Sequence, residues 1–298
     1  MQQLIVIEGP TASGKTALAV NLAKHLKTVV ISADSRQFYK ELAIGTAKPT
    51  EEEMDGIPHY FINSHSISTP LTAAQFETEA MNLICTELKN HSKIIVAGGS
   101  GMFIDALCIG LDSIPKDEQI QLSLRTELSN KGLDPLLSEL KQSDPVYYQE
   151  VDRSNPTRIL RALEVIRITG RPYSELRKHE PPARPFEVKR FVIDHPREQL
   201  YDRINRRVDY MIDQGLIDEV RSVEAFRKST TLQTVGYKEV FDYFDGIYSF
   251  DACIEKIKQH TRNYAKRQLT WFRKHPDSIW IPFSSTEKMT LAILQAID

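Results

Sequence analysis

The stretch "GPTASGKT" at Gly9–Thr16 follows the apolar run Leu4–Ile7 and decides the fold of this chain. It matches the pattern GxxxxGK[ST], in which a strand leads into a glycine-rich loop and then a helix. The backbone N–H groups of such a loop point inward at the positive end of the helix, where they bind phosphate. Lys15 adds positive charge, and the Thr16 hydroxyl can hold Mg²⁺. The pattern therefore predicts a di- or triphosphate site, but not what the phosphate is attached to.

Strands and helices alternate on either side of this loop. Val29–Ser32 and Lys93–Ala97 are typical of buried strands, while Thr16–Leu26 and Thr72 to about Asn90 are typical of helices. This alternation predicts an α/β fold, a P-loop NTPase-like doubly wound parallel sheet. The ligand should lie beyond the carboxyl ends of the strands. The segments that fall there are Gly9–Thr16, Asp34 and Gly98–Gly101.

The middle of the chain has a different character. From residue 112 to 186 we find helical stretches broken by prolines and no strand-like run, and Pro181, Pro182 and Pro185 suggest a connector. Phe191–Ile193 then returns to the sheet. We predict a core made of residues 1–111 and 187–298, with a helical insertion domain at 112–186.

Composition limits the class of protein. The 298 residues carry a net charge of −2, so a nucleic-acid site would have to be a local patch. The three cysteines are scattered, which disfavours a zinc site or a disulfide framework. There is no signal-peptide pattern and no apolar run of the roughly 18 residues that a membrane span needs. We expect a cytoplasmic protein without a membrane span, and nothing suggests more than a monomer.

Two segments are basic. Between Lys256 and Lys274 no acidic residue interrupts seven basic ones, and Tyr264, Trp271 and Phe272 lie among them. Residues 153–190 carry ten Arg and Lys against four acids, one of them Glu180. A solvated amphipathic helix is the simpler interpretation, but uncompensated charge favours a polyanion such as RNA or DNA.

Polar residues follow the second and third predicted strands. Asp34 opens "DSRQFY" (Asp34–Tyr39) and could act as a general base, hold Mg²⁺ through water, or cap a helix. Gln37 offers an amide that could pair with a base edge. Lys48 in "GTAKP" (Gly45–Pro49) is a weaker candidate for a ligand-binding residue, because lysines in solvated loops are common. Ser100 could hydrogen-bond a leaving oxygen or simply open a helix.

The strand Lys93–Ala97 ends in glycines and not in a carboxylate. An ATPase of the motor or switch type usually has an acid at that point to hold Mg²⁺. Its absence leaves a small-molecule kinase as one candidate. In the predicted helix 197–214, Arg203 and Arg207 flank a buried stripe, and either could reach the pyrophosphate or be solvated.

Seven motifs, in this order along nearly the whole chain, resemble those of the bacterial tRNA dimethylallyltransferases. They are GPTASGKT, DSRQFY, GTAKP, GGSGMF (Gly98–Phe103), NPTRILRALEV (Asn155–Val165), VGYKE (Val235–Glu239) and YAKRQLTWFR (Tyr264–Arg273). The resemblance implies transfer of a dimethylallyl group from dimethylallyl diphosphate to N6 of the adenosine just 3′ of the anticodon (adenosine 37). The acceptors would be tRNAs that read codons beginning with U, and diphosphate would be released.

The resemblance also implies roles for single residues. Asp34 would be the general base, and Ser100 would share the catalytic site although the family more often has threonine there. The diphosphate would bind, with Mg²⁺ on Thr16, to Gly9, Thr11, Ala12, Ser13, Gly14, Lys15, Thr16 and Arg207. The insertion and the core would bind the tRNA anticodon stem-loop through Asp34, Ser35, Arg36, Gln37, Lys48, Ser100, Arg158, Ile159, Leu160, Arg161, Ala162, Lys266 and Arg267. Phe103 and Gln121 depart from the family's usual tyrosine and arginine.

Two other functions compete with this one. A P-loop kinase of a small molecule would use Asp34 as the base on an acceptor hydroxyl, but it leaves the basic segment Lys256–Lys274 unexplained. A nucleic-acid-binding protein with a regulatory nucleotide site would leave Asp34 without a chemical role.

Overall fold

The computed structural model describes residues 1–112, 114–177 and 183–297, and the chain divides into two compact units. One unit comprises Met1–Ile109 and Arg184–Asp298, and the other comprises Gly110–Ala183. The sheet resumes earlier than the predicted Phe191, because its fifth strand begins at the buried Phe186. The described residues do not include Pro181 and Pro182 of the predicted connector, or Glu180 of the predicted basic segment.

The first unit is built on a six-stranded parallel sheet with the order β3-β2-β4-β1-β5-β6. The strands are β1 (Gln2–Glu8), β2 (Val30–Ser32), β3 (His59–Tyr60), β4 (Lys93–Gly98), β5 (Phe186–Asp194) and β6 (Ile279–Pro282). The predicted α/β class with a parallel sheet is confirmed. The two edge strands β3 and β6 were missed because they are only two and four residues long.

Fourteen α-helices are described along the chain. They are α1 (Lys15–Leu26), α2 (Glu51–Met54), α3 (Ala73–Cys85), α4 (Gly101–Cys108), α5 (Glu118–Lys131), α6 (Asp134–Ser143), α7 (Pro145–Glu150), α8 (Pro156–Thr169), α9 (Tyr173–Leu176), α10 (Arg197–Asp213), α11 (Leu216–Ser222), α12 (Tyr237–Phe244), α13 (Phe250–Phe272) and α14 (Thr286–Ile297). None of them, within the described ranges, is both long enough and apolar enough to cross a bilayer.

Both faces of the sheet are covered, which is why its central strands are apolar on both sides. On one face α1 and α14 pack through Leu18, Leu22 and Ile293. On the other face α3 and α4 pack through Phe76 and Ile104. Phe103, which stands where the family more often has tyrosine, adds an aromatic ring on this second face. The centroid of its ring lies 5.4 Å from that of Phe38 and 5.6 Å from that of Phe76.

All of the regular secondary structure described in the second unit is helical, from α5 to α9. Its core contains Leu124, Leu140, Ile159 and Leu163, which are fully buried. Arg167 ties α8 to α5 and α6, because its guanidinium lies 2.7 Å from carboxylate oxygens of both Glu127 and Glu139.

Candidate functional site

A cavity of about 1100 Å³ opens at the carboxyl ends of β1, β2 and β4 in the first unit. Parallel strands deliver the loops that follow them to one edge of the sheet, so this is where the fold concentrates polar side chains. The cavity is lined by the loop Thr11–Thr16, the segment Asp34–Gln37, the loop Ala43–Thr50, and residues of α10 and α13. Lys15, Asp34 and Arg207, which are far apart in sequence, meet in it.

The glycine-rich loop holds its shape partly through its own contacts. Gly14 has a φ of +89°, a left-handed conformation that disfavours any side chain, and it precedes the first residue of α1. The Lys15 ammonium donates to the carbonyl oxygen of Pro10 at 2.8 Å. Burial lowers the pKa of Lys15 to about 8, although the nearby Asp34 opposes the shift. The first N–H groups of α1 have no partner within the helix and so remain for an anion.

Two N–H groups of the loop are committed elsewhere. The Thr11 N–H donates to Oε1 of Gln268 at 2.9 Å, and the Ser13 N–H donates to the Pro10 carbonyl at 3.2 Å. These two N–H groups are therefore already bonded within the protein in this structure, and diphosphate binding by Thr11 and Ser13 stays a prediction.

The outward carbonyls of the loop are held by residues that sequence reasoning did not assign to it. His195, directly after β5, places Nε2 3.0 Å from the Ser13 carbonyl oxygen. Arg203 donates from Nε to the Ala12 carbonyl at 2.7 Å. The sequence left open whether Arg203 or Arg207 enters the phosphate site. Arg203 makes its bond to Ala12 at the rim of the cavity, where its side chain is exposed.

Arg207 lies deeper in the cavity and is less completely paired. Its Nη2 is 3.3 Å from the Thr46 carbonyl, and its buried Nε has no hydrogen-bond partner among the described residues. Burial lowers the pKa of Arg207, against the attraction of Asp34. A buried donor without a partner is costly, so Arg207 is suited to an anionic ligand.

Asp34 opens a turn and not a helix. Its Oδ1 accepts the N–H of Arg36 at 3.1 Å, and no helix is described until α2. Ser100 does not use its hydroxyl to cap α4 either. Instead its Oγ accepts the Ser35 N–H at 2.9 Å and donates to the Ser35 hydroxyl at 3.1 Å. The two segments after β2 and β4 are thus joined beside the Asp34 carboxylate.

Tyr264 of the basic helix also lines this cavity, which its place among the aromatic residues of that helix did not predict. Burial, reinforced by the negative charge of Asp34, raises the pKa of Tyr264 to about 12. The phenol is therefore a neutral hydrogen-bond donor or acceptor at physiological pH.

Gln37 faces the loop Ala43–Thr50, and Lys48 belongs to that loop. The Gln37 amide is 3.3 Å from the Ala47 carbonyl, and the Lys48 ammonium donates to the Tyr39 carbonyl at 2.5 Å and to Asn63 Oδ1 at 2.7 Å. Burial lowers the pKa of Lys48 to about 8. These bonds give Lys48 a role in folding the loop, and its contact with tRNA stays a prediction.

The basic helix α13 is partly compensated. Lys258 lies 2.8 Å from Asp209 of α10 and 3.1 Å from Glu255, so the expectation of seven uncompensated charges is wrong at this position. Lys266 and Arg267 are exposed. Each lies over an aromatic ring, Lys266 over Tyr201 at 6.0 Å and Arg267 over Tyr264 at 5.7 Å.

In the helical unit, α8 carries the other predicted RNA-binding residues. Ile159 and Ala162 are fully buried, so neither residue offers a surface to a ligand in this structure. Arg161 is occupied by the carbonyls of Ile114 and Pro115 and by Glu164, Leu160 is half-buried, and Arg158 is exposed. Gln121 also donates to the buried Glu164, at 2.9 Å. Binding of tRNA by these residues stays a prediction.

The pKa of Lys15 gives the phosphate site a testable pH dependence. We expect pyrophosphate, measured by calorimetry with Mg²⁺, to lose affinity above about pH 8, approaching tenfold per pH unit, because only the protonated ammonium attracts it. Pyrophosphate titrates too, so wild type is compared with Lys15→Met at each pH. The advantage of the wild type should shrink above pH 8. A constant advantage up to pH 9.5 would contradict the lowered pKa.

Comparisons with known proteins identify the family of this chain. The sequence model described as "IPP transferase" matches residues 37–275. The tRNA dimethylallyltransferase 1 of Bacteroides fragilis is 45% identical over 294 residues, which cover 98% of this chain and 97% of that protein. The full-length tRNA isopentenylpyrophosphate transferase from Bacillus halodurans matches with a TM-score of 0.74 and 36% identity, covering 100% of this chain and 96% of that one.

A more distant structure shows the same fold. A eukaryotic dimethylallyltransferase, solved acting on tRNA, matches with a TM-score of 0.83 and 28% identity over 100% of this chain and 78% of its own. The family model spans most of the sequence, and the similarity to relatives is nearly end to end. The resemblance carried by the seven motifs is therefore confirmed, and the chain belongs to the IPP transferase family.

Proposed function

We propose that this protein transfers a dimethylallyl group from dimethylallyl diphosphate to N6 of adenosine 37 in tRNA and releases diphosphate. The observation that carries the proposal is one cavity in which a phosphate-binding loop faces a carboxylate, Asp34, beside the Ser100 turn. Relatives named tRNA dimethylallyltransferase support the substrates. The restriction to tRNAs that read codons beginning with U rests on the family resemblance alone.

On the donor side, the positive groups of the cavity would bind the diphosphate. Lys15, Arg207 and the N–H groups at the start of α1 surround the place where the loop directs an anion. As the bond between C1 of the dimethylallyl group and the diphosphate oxygen breaks, negative charge grows on the leaving group. Fixed positive groups that meet this charge stabilise the transition state more than the ground state.

On the acceptor side, adenine N6 attacks C1 as the C–O bond breaks. N6 is a weak nucleophile because its lone pair is delocalised into the ring, so it must lose a proton as the C–N bond forms. Asp34 is the carboxylate in position to take that proton, and Ser100 and Tyr264 lie beside it. The target base comes from a loop, so its extrusion into a cavity costs less than it would from a duplex.

The residues present fit a Mg²⁺ ion that is completed by the substrate. The described residues contain no cluster of three or more His, Cys, Asp or Glu that could hold a metal by itself. The Thr16 hydroxyl and the Asp34 carboxylate both line the cavity, and Mg²⁺ usually takes one or two protein oxygens together with phosphate oxygens and water. When bound at Thr16, Mg²⁺ would neutralise part of the charge on the departing diphosphate.

The exposed basic residues of α13 would meet the RNA backbone. We expect Lys266→Ala to weaken tRNA binding and to reduce the slope of log affinity against log salt by about one unit, as for one lost phosphate contact. Filter binding between 50 and 300 mM salt measures the slope. Lys258→Ala is the matched control on the same helix, since Lys258 is paired with Asp209 and Glu255. Equal slopes for the two variants would remove Lys266 from the interface.

We also propose a monomer in the cytoplasm. The proposed chemistry needs Lys15, Asp34 and Arg207, and one chain brings all three to the same cavity, so a second copy is not required. The cytoplasm is the compartment in which tRNA is used.

A transfer assay tests the proposed function. Purified protein is incubated with Mg²⁺, labelled dimethylallyl diphosphate and unmodified tRNA, and a tRNA with guanosine in place of adenosine 37 serves as the control. Label should enter only the first tRNA. A parallel reaction contains ATP as the sole donor and a mixture of small acceptors. Turnover of ATP without label in tRNA would replace the proposal by the kinase.

A further inference from the structure

Helix α13 presents one line of side chains to the phosphate loop and to the turn after β4. Tyr264, Gln268 and Trp271 are spaced four and three residues apart, so they lie on the same face of the helix. The turn approaches that face closely. A Cβ at Gly99 would lie 2.3 Å from Nε2 of Gln268, and one at Gly101 would lie 2.2 Å from Cδ1 of Trp271. The glycines of this turn therefore make room for the helix.

Gln268 uses both ends of its amide. Oε1 accepts the Thr11 N–H at 2.9 Å, and Nε2 donates to the Gly99 carbonyl at 2.8 Å. The side chain is only 6% exposed, so neither bond is replaced by bulk water. One residue thus spans the loop that would bind the diphosphate and the turn whose Ser100 lies beside Asp34.

The next residue of the line is anchored by a charged cluster. Trp271 donates from Nε1 to Asp105 of α4 at 2.7 Å. Arg190 donates to the same carboxylate at 2.7 Å, and Nε2 of His275 is 3.0 Å from it. Arg190 also faces Glu8 at 3.4 Å, the last residue before the phosphate loop. The bond from Trp271 to Asp105 holds α13 against the turn after β4, and so it also determines the position of Gln268 on that helix.

We propose that Gln268 is a positioning residue that sets the distance between the diphosphate site and the Asp34–Ser100 pair. It touches neither substrate in this assignment. It acts through Thr11 on the donor side and through Gly99 on the acceptor side. The inference rests on the proposed function, because only a reaction between two bound substrates needs these two sites in register. A displacement of about 1 Å between reacting groups can cost about a hundredfold in rate.

The test separates rate from binding. For Gln268→Met, which keeps the length and loses both hydrogen bonds, we expect single-turnover transfer at saturating substrates to fall about thirty- to hundredfold. The dissociation constants of dimethylallyl diphosphate and of tRNA, measured separately, should stay within about threefold of the wild type. Gln259→Met, an exposed glutamine on the same helix, is the matched control and should transfer at the wild-type rate.

A second variant guards against simple unfolding. Gln268→Asn keeps an amide that can accept and donate but is one methylene group shorter, so it can reach only one of its two partners at a time. Its rate should lie between those of the wild type and Gln268→Met. Thermal unfolding is measured for all variants. A rate loss that follows the melting temperature, or that is fully explained by weaker binding, would overturn the inference, as would a wild-type rate in Gln268→Met. If the wild-type protein itself transfers no label, the proposed function fails, and that result is distinct from either.

Discussion

Asp34→Asn should lower the rate of prenyl transfer by about 100- to 10,000-fold at saturating substrates, the range that general base catalysis contributes. The asparagine keeps Oδ1 as an acceptor for the Arg36 N–H, so the turn that presents the side chain should persist. It cannot take a proton from adenine N6. The rate is measured in a single turnover with labelled dimethylallyl diphosphate, and tRNA affinity is expected to remain within about twofold in filter binding.

A matched variant tests whether the loss comes from proton transfer or from the turn. Asp152 makes the same local contact in the helical unit, where its Oδ1 accepts the N–H of Ser154 two residues ahead at 3.0 Å. Asp152→Asn should leave transfer unchanged. If Asp34→Asn retains more than a tenth of the wild-type rate, another group accepts the proton and the role of Asp34 is electrostatic or structural.

The parts of the site that could be predicted from sequence are those that follow strand ends. Gly9–Thr16 comes directly after β1, Asp34 follows β2, and Ser100 follows β4. A parallel sheet brings its carboxyl-terminal loops to one edge, so recognising the strands was enough to predict that these loops meet there. Thr11–Thr16 and Asp34 line the cavity, and Ser100 contacts Ser35 beside it. The same logic locates the phosphate loop before any family is considered.

Contacts made across long stretches of chain had no such signal. Gln268 reaches Thr11 over 257 residues and His195 reaches Ser13 over 182 residues, and neither has a local pattern that names its partner. A run of basic residues also predicts a polyanion site poorly, because the acidic residues that neutralise it can lie far away in the sequence. Lys258 looked uncompensated within its own segment, but Asp209 on another helix neutralises it.

Arg207→Ala should lower kcat/KM for dimethylallyl diphosphate by about 100- to 1000-fold, the loss typical of removing one fixed donor from a developing anion. Arg207 lines the cavity, its buried Nε lacks a partner among the described residues, and Asp34 lies near it. Arg203→Ala is the matched control from one turn earlier in α10. Arg203 is exposed and already donates to the Ala12 carbonyl, so its loss should cost no more than about tenfold, as for one net hydrogen bond.

The rates of Arg203→Ala and Arg207→Ala can be compared directly, because both side chains belong to α10 and both variants are measured in the same assay. Arg207→Lys adds a second criterion. A lysine restores the charge but not the fork of donors, so it should recover only part of the lost rate. Equal losses for Arg203→Ala and Arg207→Ala would mean that both guanidiniums reach the diphosphate. A larger loss for Arg203→Ala would mean that the helix turns its other arginine inward once the donor binds.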